Sequence, residues 1–293
     1  MSSTASPATR GADEFRFGRI PLGTGPTIHY AEKGEKAGPL VLFLHGYVDS
    51  WRSFTGVLDA LPREYRAVAL DLRGHGDSDK PECCYATEDF VQDLLLFMDA
   101  LELNKAHLVG HSMGSFIAQS FAARCPGRVE RLILISSAAG TAGNAILREF
   151  KPIIDALQDP IDRNFAAKFQ APCNPVSAGF METIVSETMK VPAHVWRSAF
   201  SELLQVNQGP ILCEVNAPTL IVWGNQDQIF TRRDQEALLS GIPDSRLEEL
   251  DAGHAPHWEK PKEVAAALKN FLVCGRSKAA VNLRSSSPCE QRD

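Results

Sequence analysis

Ala106-His107-Leu108-Val109-Gly110-His111-Ser112-Met113-Gly114 runs as a short apolar strand into a serine flanked by small residues, and an apolar helical stretch, Phe116 to Ala122, follows at once. A serine caught between a strand and a helix must sit on a sharp turn. Gly110 and Gly114 let the backbone pass closely there while Oγ projects above the strand ends. The helix that begins beneath it offers a positive dipole end and free N–H groups where negative charge would develop. The five-residue motif alone also fits a glycine-flanked helix cap, in which Ser112 only satisfies backbone donors. The surrounding chain decides between the two.

Outward from this stretch, short β-rich runs alternate with helical patterns. The runs are Pro39 to Leu44, Arg66 to Leu70, Ala106 to Val109, Val129 to Ile135, Thr219 to Trp223 and Arg246 to Leu250. They read as nearly all apolar, as strands buried on both faces of a parallel sheet should. Phe15 to Ile20 and Thr27 to Ala31, joined by a Gly/Pro turn, read as an antiparallel hairpin of two edge strands. Helices are expected over Trp51 to Leu61, Thr87 to Leu101, Met113 to Arg124, Arg233 to Leu239 and Pro261 to Phe271. The alternation breaks over 138–211, where Pro-punctuated helical stretches lack strands between them. This segment is expected to be a helical cap inserted into an α/β core of 15–137 and 212–273. Residues 1–14 and 274–293 are expected to be flexible.

Bulk properties set outer bounds. The chain has 293 residues, 44% apolar and 23% charged, with a formal charge of -6. This is an ordinary globular balance without the basic excess that nucleic acid requires. The seven cysteines follow no metal-ligand spacing and are expected to be reduced thiols. Without an apolar leader or a run long enough to span a bilayer, the expected location is cytoplasmic and no membrane partner is expected. GxGxxG is absent, so no dinucleotide site is expected, and no cofactor is implied. The charged run Asp71 to Asp79 could suggest metal, but its glycines and serine suit a hydrogen-bonded turn better, and no metal is assigned.

A serine hydroxyl is a poor nucleophile at neutral pH, so a neutral imidazole must take its proton and a carboxylate must orient that imidazole. With the nucleophile on a strand-to-helix turn, the chain order is serine, acid, histidine. Of the eight histidines only His254 and His257 come late enough, after the last strand. His254, which follows a strand end and the turn at Gly253, is chosen as the base. The loop after Thr219 to Trp223 offers one carboxylate, Asp227, whereas the rival loop Ser136 to Gly140 has none. A lone Asp in such a loop commonly just closes a turn; here loop, order and partners agree. The oxyanion donors are expected to be the N–H groups of Met113 and Tyr47. Tyr47, Met189, Trp196 and Phe200 are expected to line the substrate pocket, although Met189, Trp196 and Phe200 serve equally as the cap's own core.

The segments LFLHGY, DLRGHGDSD, VGHSMGS, VWGNQDQ and DAGHAPHWEKP, in this order over residues 15 to 273, resemble the α/β-hydrolase superfamily with a helical cap. The resemblance implies an α/β fold with a mostly parallel sheet covered on both faces, and serine-hydrolase chemistry on a small-molecule ester or lactone. Relatives with an Asp nucleophile, the dehalogenases and epoxide hydrolases, differ at position 112. Cleavers of aromatic ring-fission products carry Pro-Gly after the HG loop, where this chain has Tyr47-Val48. A carbon-carbon hydrolase and a triad-bearing small-ligand receptor with slow turnover are the alternatives, and a perhydrolase side activity is a further implication of the resemblance. The sequence sets no oligomeric state.

Overall fold

The structure, a computed structural model, describes residues 14–273. The expected flexible ends lie, apart from Glu14, outside the described residues. Eight strands form one sheet: β1 (Arg16–Pro21), β2 (Thr27–Gly34), β3 (Leu40–Leu44), β4 (Arg66–Leu70), β5 (Ala106–His111), β6 (Val129–Ile135), β7 (Thr219–Gly224) and β8 (Ser245–Leu250). Their spatial order is β1-β2-β4-β3-β5-β6-β7-β8. β1 pairs antiparallel with β2 and β2 antiparallel with β4. The remaining neighbours are parallel.

Two strand expectations are corrected. The hairpin forms, but only β1 lies at the edge, because β2 pairs on its other side with β4. β8 is not apolar. It reads Ser-Arg-Leu-Glu-Glu-Leu with most positions at least partly exposed, as suits the opposite edge strand, where charge also discourages further strand pairing.

The central strands divide their side chains between two layers, because successive residues of a strand point to opposite faces. Leu42, Leu44, Leu132 and Leu134 join one buried layer with Phe97, Phe116 and Phe121. Val41, Phe43, Ile133 and Ile135 join the other with Phe54, Leu268 and Phe271. The first layer is covered by α2 (Thr87–Ala100) and α3 (Met113–Arg124). The second is covered by α1 (Thr55–Ala60) and, after the short α9 (Pro256–Glu259), α10 (Pro261–Val273). α8 (Arg232–Gly241) leads from β7 to β8.

Between β6 and β7 lie α4 (Ala145–Asp155), α5 (Arg163–Phe169), α6 (Ala178–Thr188) and α7 (Ala193–Leu203). Local side chains start three of them: Asn144, Asp162 and Ser177 accept hydrogen bonds from the N–H groups of Leu147, Phe165 and Phe180. For α7, where proline precedes the helix, Asp159 takes that role and accepts from Ala193 N–H at 2.8 Å. Trp196 and Phe200 belong to the same buried layer as the sheet's Leu42 and Leu134, so these helices are packed on the core. Cys83 and Cys84, expected as thiols, are instead bonded to each other, their Cα atoms being 3.8 Å apart. No helix among the described residues is long and apolar enough to cross a membrane.

Candidate active site

Ser112 connects β5 to α3 with φ +48° and ψ -116°, a conformation that side-chain-bearing residues seldom adopt. Two close approaches make the turn possible. A Cβ on Gly110 would lie 2.4 Å from the Gly114 carbonyl oxygen, and one on Gly114 would lie 2.3 Å from that of Leu44. Ser112 N–H donates to Ile135 O at 3.0 Å, and Ser115 Oγ donates to Ser112 O at 2.5 Å, so the strained turn is held from both sides.

His254 comes from the loop between β8 and α9, with its Nε2 3.0 Å from Ser112 Oγ. Its Nδ1 lies 2.9 Å from Asp227 Oδ2. The Asp227 side chain is fully buried, and its other oxygen accepts from the N–H groups of Ile229 at 2.8 Å and Phe230 at 3.1 Å. Those two donors fix the carboxylate, and the carboxylate fixes the imidazole tautomer: Nδ1–H faces the acid, leaving the Nε2 lone pair for the serine hydroxyl. His257 lies behind this line, with Nε2 2.8 Å from Ser53 Oγ and its ring centroid 4.2 Å from that of His111.

Ser112, His254, Tyr47 and Phe200 open onto a cavity of about 350 Å³ whose walls include Phe150, Phe169 and Phe230. Gly46 and Tyr47 occupy the loop after β3. His45 holds that loop: its Nδ1 contacts Gly46 O at 2.7 Å and its Nε2 accepts from Leu72 N–H at 3.0 Å. Met113 is the first residue of α3, so its N–H has no intrahelical partner. Tyr47 Oη donates to Trp196 O at 2.7 Å.

Two pocket expectations are corrected. Trp196 is fully buried, packed against Tyr47, Phe165 and Phe169, and does not line the cavity. Met189 lies just past the end of α6, 37% exposed, with its sulfur beside Arg163. The run Asp71 to Asp79 forms a hydrogen-bonded turn. Asp71 accepts from the N–H groups of Trp51 and Asp77 and contacts His29 Nδ1, so both its oxygens are committed.

Several site residues have no counterpart in the sequence reading. The Glu259 carboxylate, on the cavity wall, accepts from the N–H groups of Gly253 (2.9 Å) and Cys173 (3.0 Å) and from Asn174 Nδ2 (2.6 Å). Gln226 accepts from Asn174 Nδ2 at 3.2 Å and donates to Asp251 at 2.6 Å. Asp49, buried in the same loop as Tyr47 and on the cavity wall, accepts from Ser50 N–H at 2.8 Å, with its Oδ2 unpartnered. Donor atoms of Asp49, His111 and His257 lie within 4.8 Å of one another. His111 Nε2 is 3.0 Å from the His254 carbonyl, an obligate acceptor, so His111 Nδ1 carries no proton. Burial pushes the Asp49 carboxyl up to about 8 and holds both imidazoles well below the ordinary histidine value.

Residues 39–261 match the family model of the α/β hydrolase fold. The chain is 30% identical over 287 residues to a 2-hydroxy-6-oxononadienedioate/2-hydroxy-6-oxononatrienedioate hydrolase of Pseudomonas putida, covering 89% of this chain and 97% of that protein. A solved hydrolase from Pseudomonas aeruginosa is 26% identical, with TM-score 0.80, covering 88% of this chain and 98% of the other. An enol-lactonase from Burkholderia xenovorans is 22% identical and shares the fold, with TM-score 0.77 over 87% of this chain and 99% of the other. Elbow, sheet order and family match agree, and the chain belongs to the α/β-hydrolase fold family.

Proposed function

We propose that this protein is a serine hydrolase that cleaves a small to medium carboxyl ester or lactone through an acyl-enzyme on Ser112. The observation that carries the reading is the unbroken hydrogen-bond chain Ser112 Oγ, His254 Nε2, His254 Nδ1, Asp227 Oδ2, with links of 3.0 and 2.9 Å at one wall of the cavity. His254 takes the serine proton as Oγ attacks the carbonyl carbon, and Asp227 stabilises the imidazolium. The tetrahedral oxyanion takes hydrogen bonds from the N–H groups of Met113 and Tyr47. As the intermediate collapses, His254 returns the proton to the leaving oxygen; in a lactone that oxygen stays tethered to the acyl group. A water molecule, deprotonated by the same imidazole, then attacks the acyl-enzyme and frees Ser112.

The test is a panel of nitrophenyl esters and lactones with wild type beside Ser112→Ala, together with mass spectrometry after exposure to a fluorophosphonate. Turnover confined to the wild type and one phosphonyl adduct on Ser112 are expected. Full esterase turnover by Ser112→Ala would overturn the assignment. Carbon-carbon bond hydrolysis is the second reading, favoured by the similarity to the Pseudomonas putida enzyme. Cleavage of a vinylogous diketone faster than of any ester would establish it instead.

A further inference from the structure

The charge on the cavity wall is one-sided. Among the described residues that line the cavity there is no lysine and no arginine, whereas one carboxylate, that of Glu259, is present; the other carboxyl on the wall, that of Asp49, is pushed up to about 8 by burial and keeps its proton at neutral pH. Besides the catalytic imidazole of His254, whose Nδ1 faces Asp227, the other polar groups include amides and hydroxyls such as Gln170, whose amide nitrogen is spent on Val48 O and Thr188 Oγ1. His111, also on the wall, is kept neutral by burial and by the neighbouring imidazoles. The Glu259 carboxylate cannot turn away, since three N–H donors from two separate segments hold it. The same wall carries the rings of Phe150, Phe169, Phe200 and Phe230.

A carboxylate brought into such a space loses its water and finds no cation to replace it, and it faces a like charge that cannot move. An aliphatic or aromatic group loses nothing comparable and gains contact with the rings. Resting on the serine-hydrolase reading above, we infer that the cavity selects uncharged esters or lactones with an apolar or aromatic acyl group and rejects substrates that carry a carboxylate. Charge, more than size, is the criterion: the cavity is near the lower end of the range of small-molecule sites, and either kind of acyl group fits in it.

Two esters that differ in one charge test this directly: 4-nitrophenyl methyl succinate, which is neutral, and 4-nitrophenyl hydrogen succinate, which is an anion at neutral pH. The anion is expected to have a kcat/KM at least about 100-fold lower, which is about 2.7 kcal/mol of transition-state free energy. Rates for the two esters within about threefold of each other, less than 1 kcal/mol, would overturn the inference. Binding is measured separately, by displacement of the neutral dye Nile red with 2-decanone or with 9-oxodecanoate. The ketone is expected to displace the dye at least about tenfold more tightly than the oxo acid.

Preference for the ketone together with no ester hydrolysis would sink the hydrolase reading and leave the selectivity standing. Equal displacement by the oxo acid would sink the selectivity whatever the rates. In Phe150→Arg a guanidinium joins the wall, and the discrimination against the anion is expected to shrink at least about tenfold. Undiminished discrimination in a variant that still binds 2-decanone would count against the inference.

Discussion

Gly253 N–H donates to Glu259 Oε2 at 2.9 Å, one residue before His254. The same carboxylate accepts from Cys173 N–H, 86 residues away between β6 and β7. One side chain therefore ties the loop that carries the imidazole to a segment between β6 and β7 that lines the cavity. The tie is tight: a Cβ on Gly253 would lie 2.4 Å from the Cβ of Cys173.

Held to the residue before His254, Glu259 is expected to act through that imidazole as a positioning residue. Glu259→Gln keeps an oxygen for one or two of the donors but lacks the carboxylate's charge and its second acceptor. Small misplacements of a reacting group cost up to about 100-fold, and the variant is expected to lose about tenfold in kcat with KM nearly unchanged. A purely structural role would instead lower the melting temperature and leave kcat of the folded fraction intact. Steady-state kinetics beside thermal denaturation separates the two.

Asp227→Asn retains an oxygen that accepts from Ile229 and Phe230, so the loop should fold. The amide that replaces the other oxygen donates to Nδ1 and forces the wrong imidazole tautomer. Loss of about 10³- to 10⁴-fold in kcat is expected, at near-native stability. A variant with more than about a tenth of wild-type kcat would exclude Asp227 as the orienting acid.

Most of the fold was legible because each apolar strand and each capped helix carries a local period. Met113 to Arg124 is helical over the range read from its residues. β8 was grouped with the apolar interior strands, whereas its glutamates mark the edge. Ser112, Asp227 and His254, which the structure brings within 3.0 and 2.9 Å of one another, were legible as a set because each lies in the turn or loop that follows a strand. Trp196 and Met189 were assigned to the wrong surroundings, since helical period cannot say whether a side chain of the helices between β6 and β7 faces the cavity or the packed core. Glu259 and Asp49 escaped notice because their roles come from contacts between distant segments.

Gly114→Ala tests the closeness of the elbow. The new methyl would meet backbone rather than a movable side chain, 2.3 Å from Leu44 O and 2.5 Å from His45 O. β3 and α3 must then move apart, and a loss of about 1–3 kcal/mol or more in stability is expected. The neighbouring loop at Gly46 and Tyr47, proposed to supply an oxyanion donor, moves with β3, so activity should fall further than the folded fraction does. Urea denaturation and kcat on the folded protein check both statements, and a variant as stable as wild type would contradict the close approach.

Asp49 makes stability depend on pH in a direction opposite to most aspartates. Burial raises its carboxyl from 3.8 to about 8, so the folded chain holds a proton that the unfolded chain has released throughout that interval. Stability from this group is therefore full below the unfolded value and falls as pH rises towards the folded one. Asp49→Asn removes the titration, keeps an acceptor for Ser50 N–H, and supplies an N–H₂ group close to the unprotonated Nδ1 of His111. The variant is expected to gain on wild type as pH rises, being more stable by a few kcal/mol near about pH 9 and by less near about pH 5. Denaturation midpoints of the two proteins measured across this range should diverge. Curves that stay parallel would mean that Asp49 ionises as freely in the folded chain as in the unfolded one.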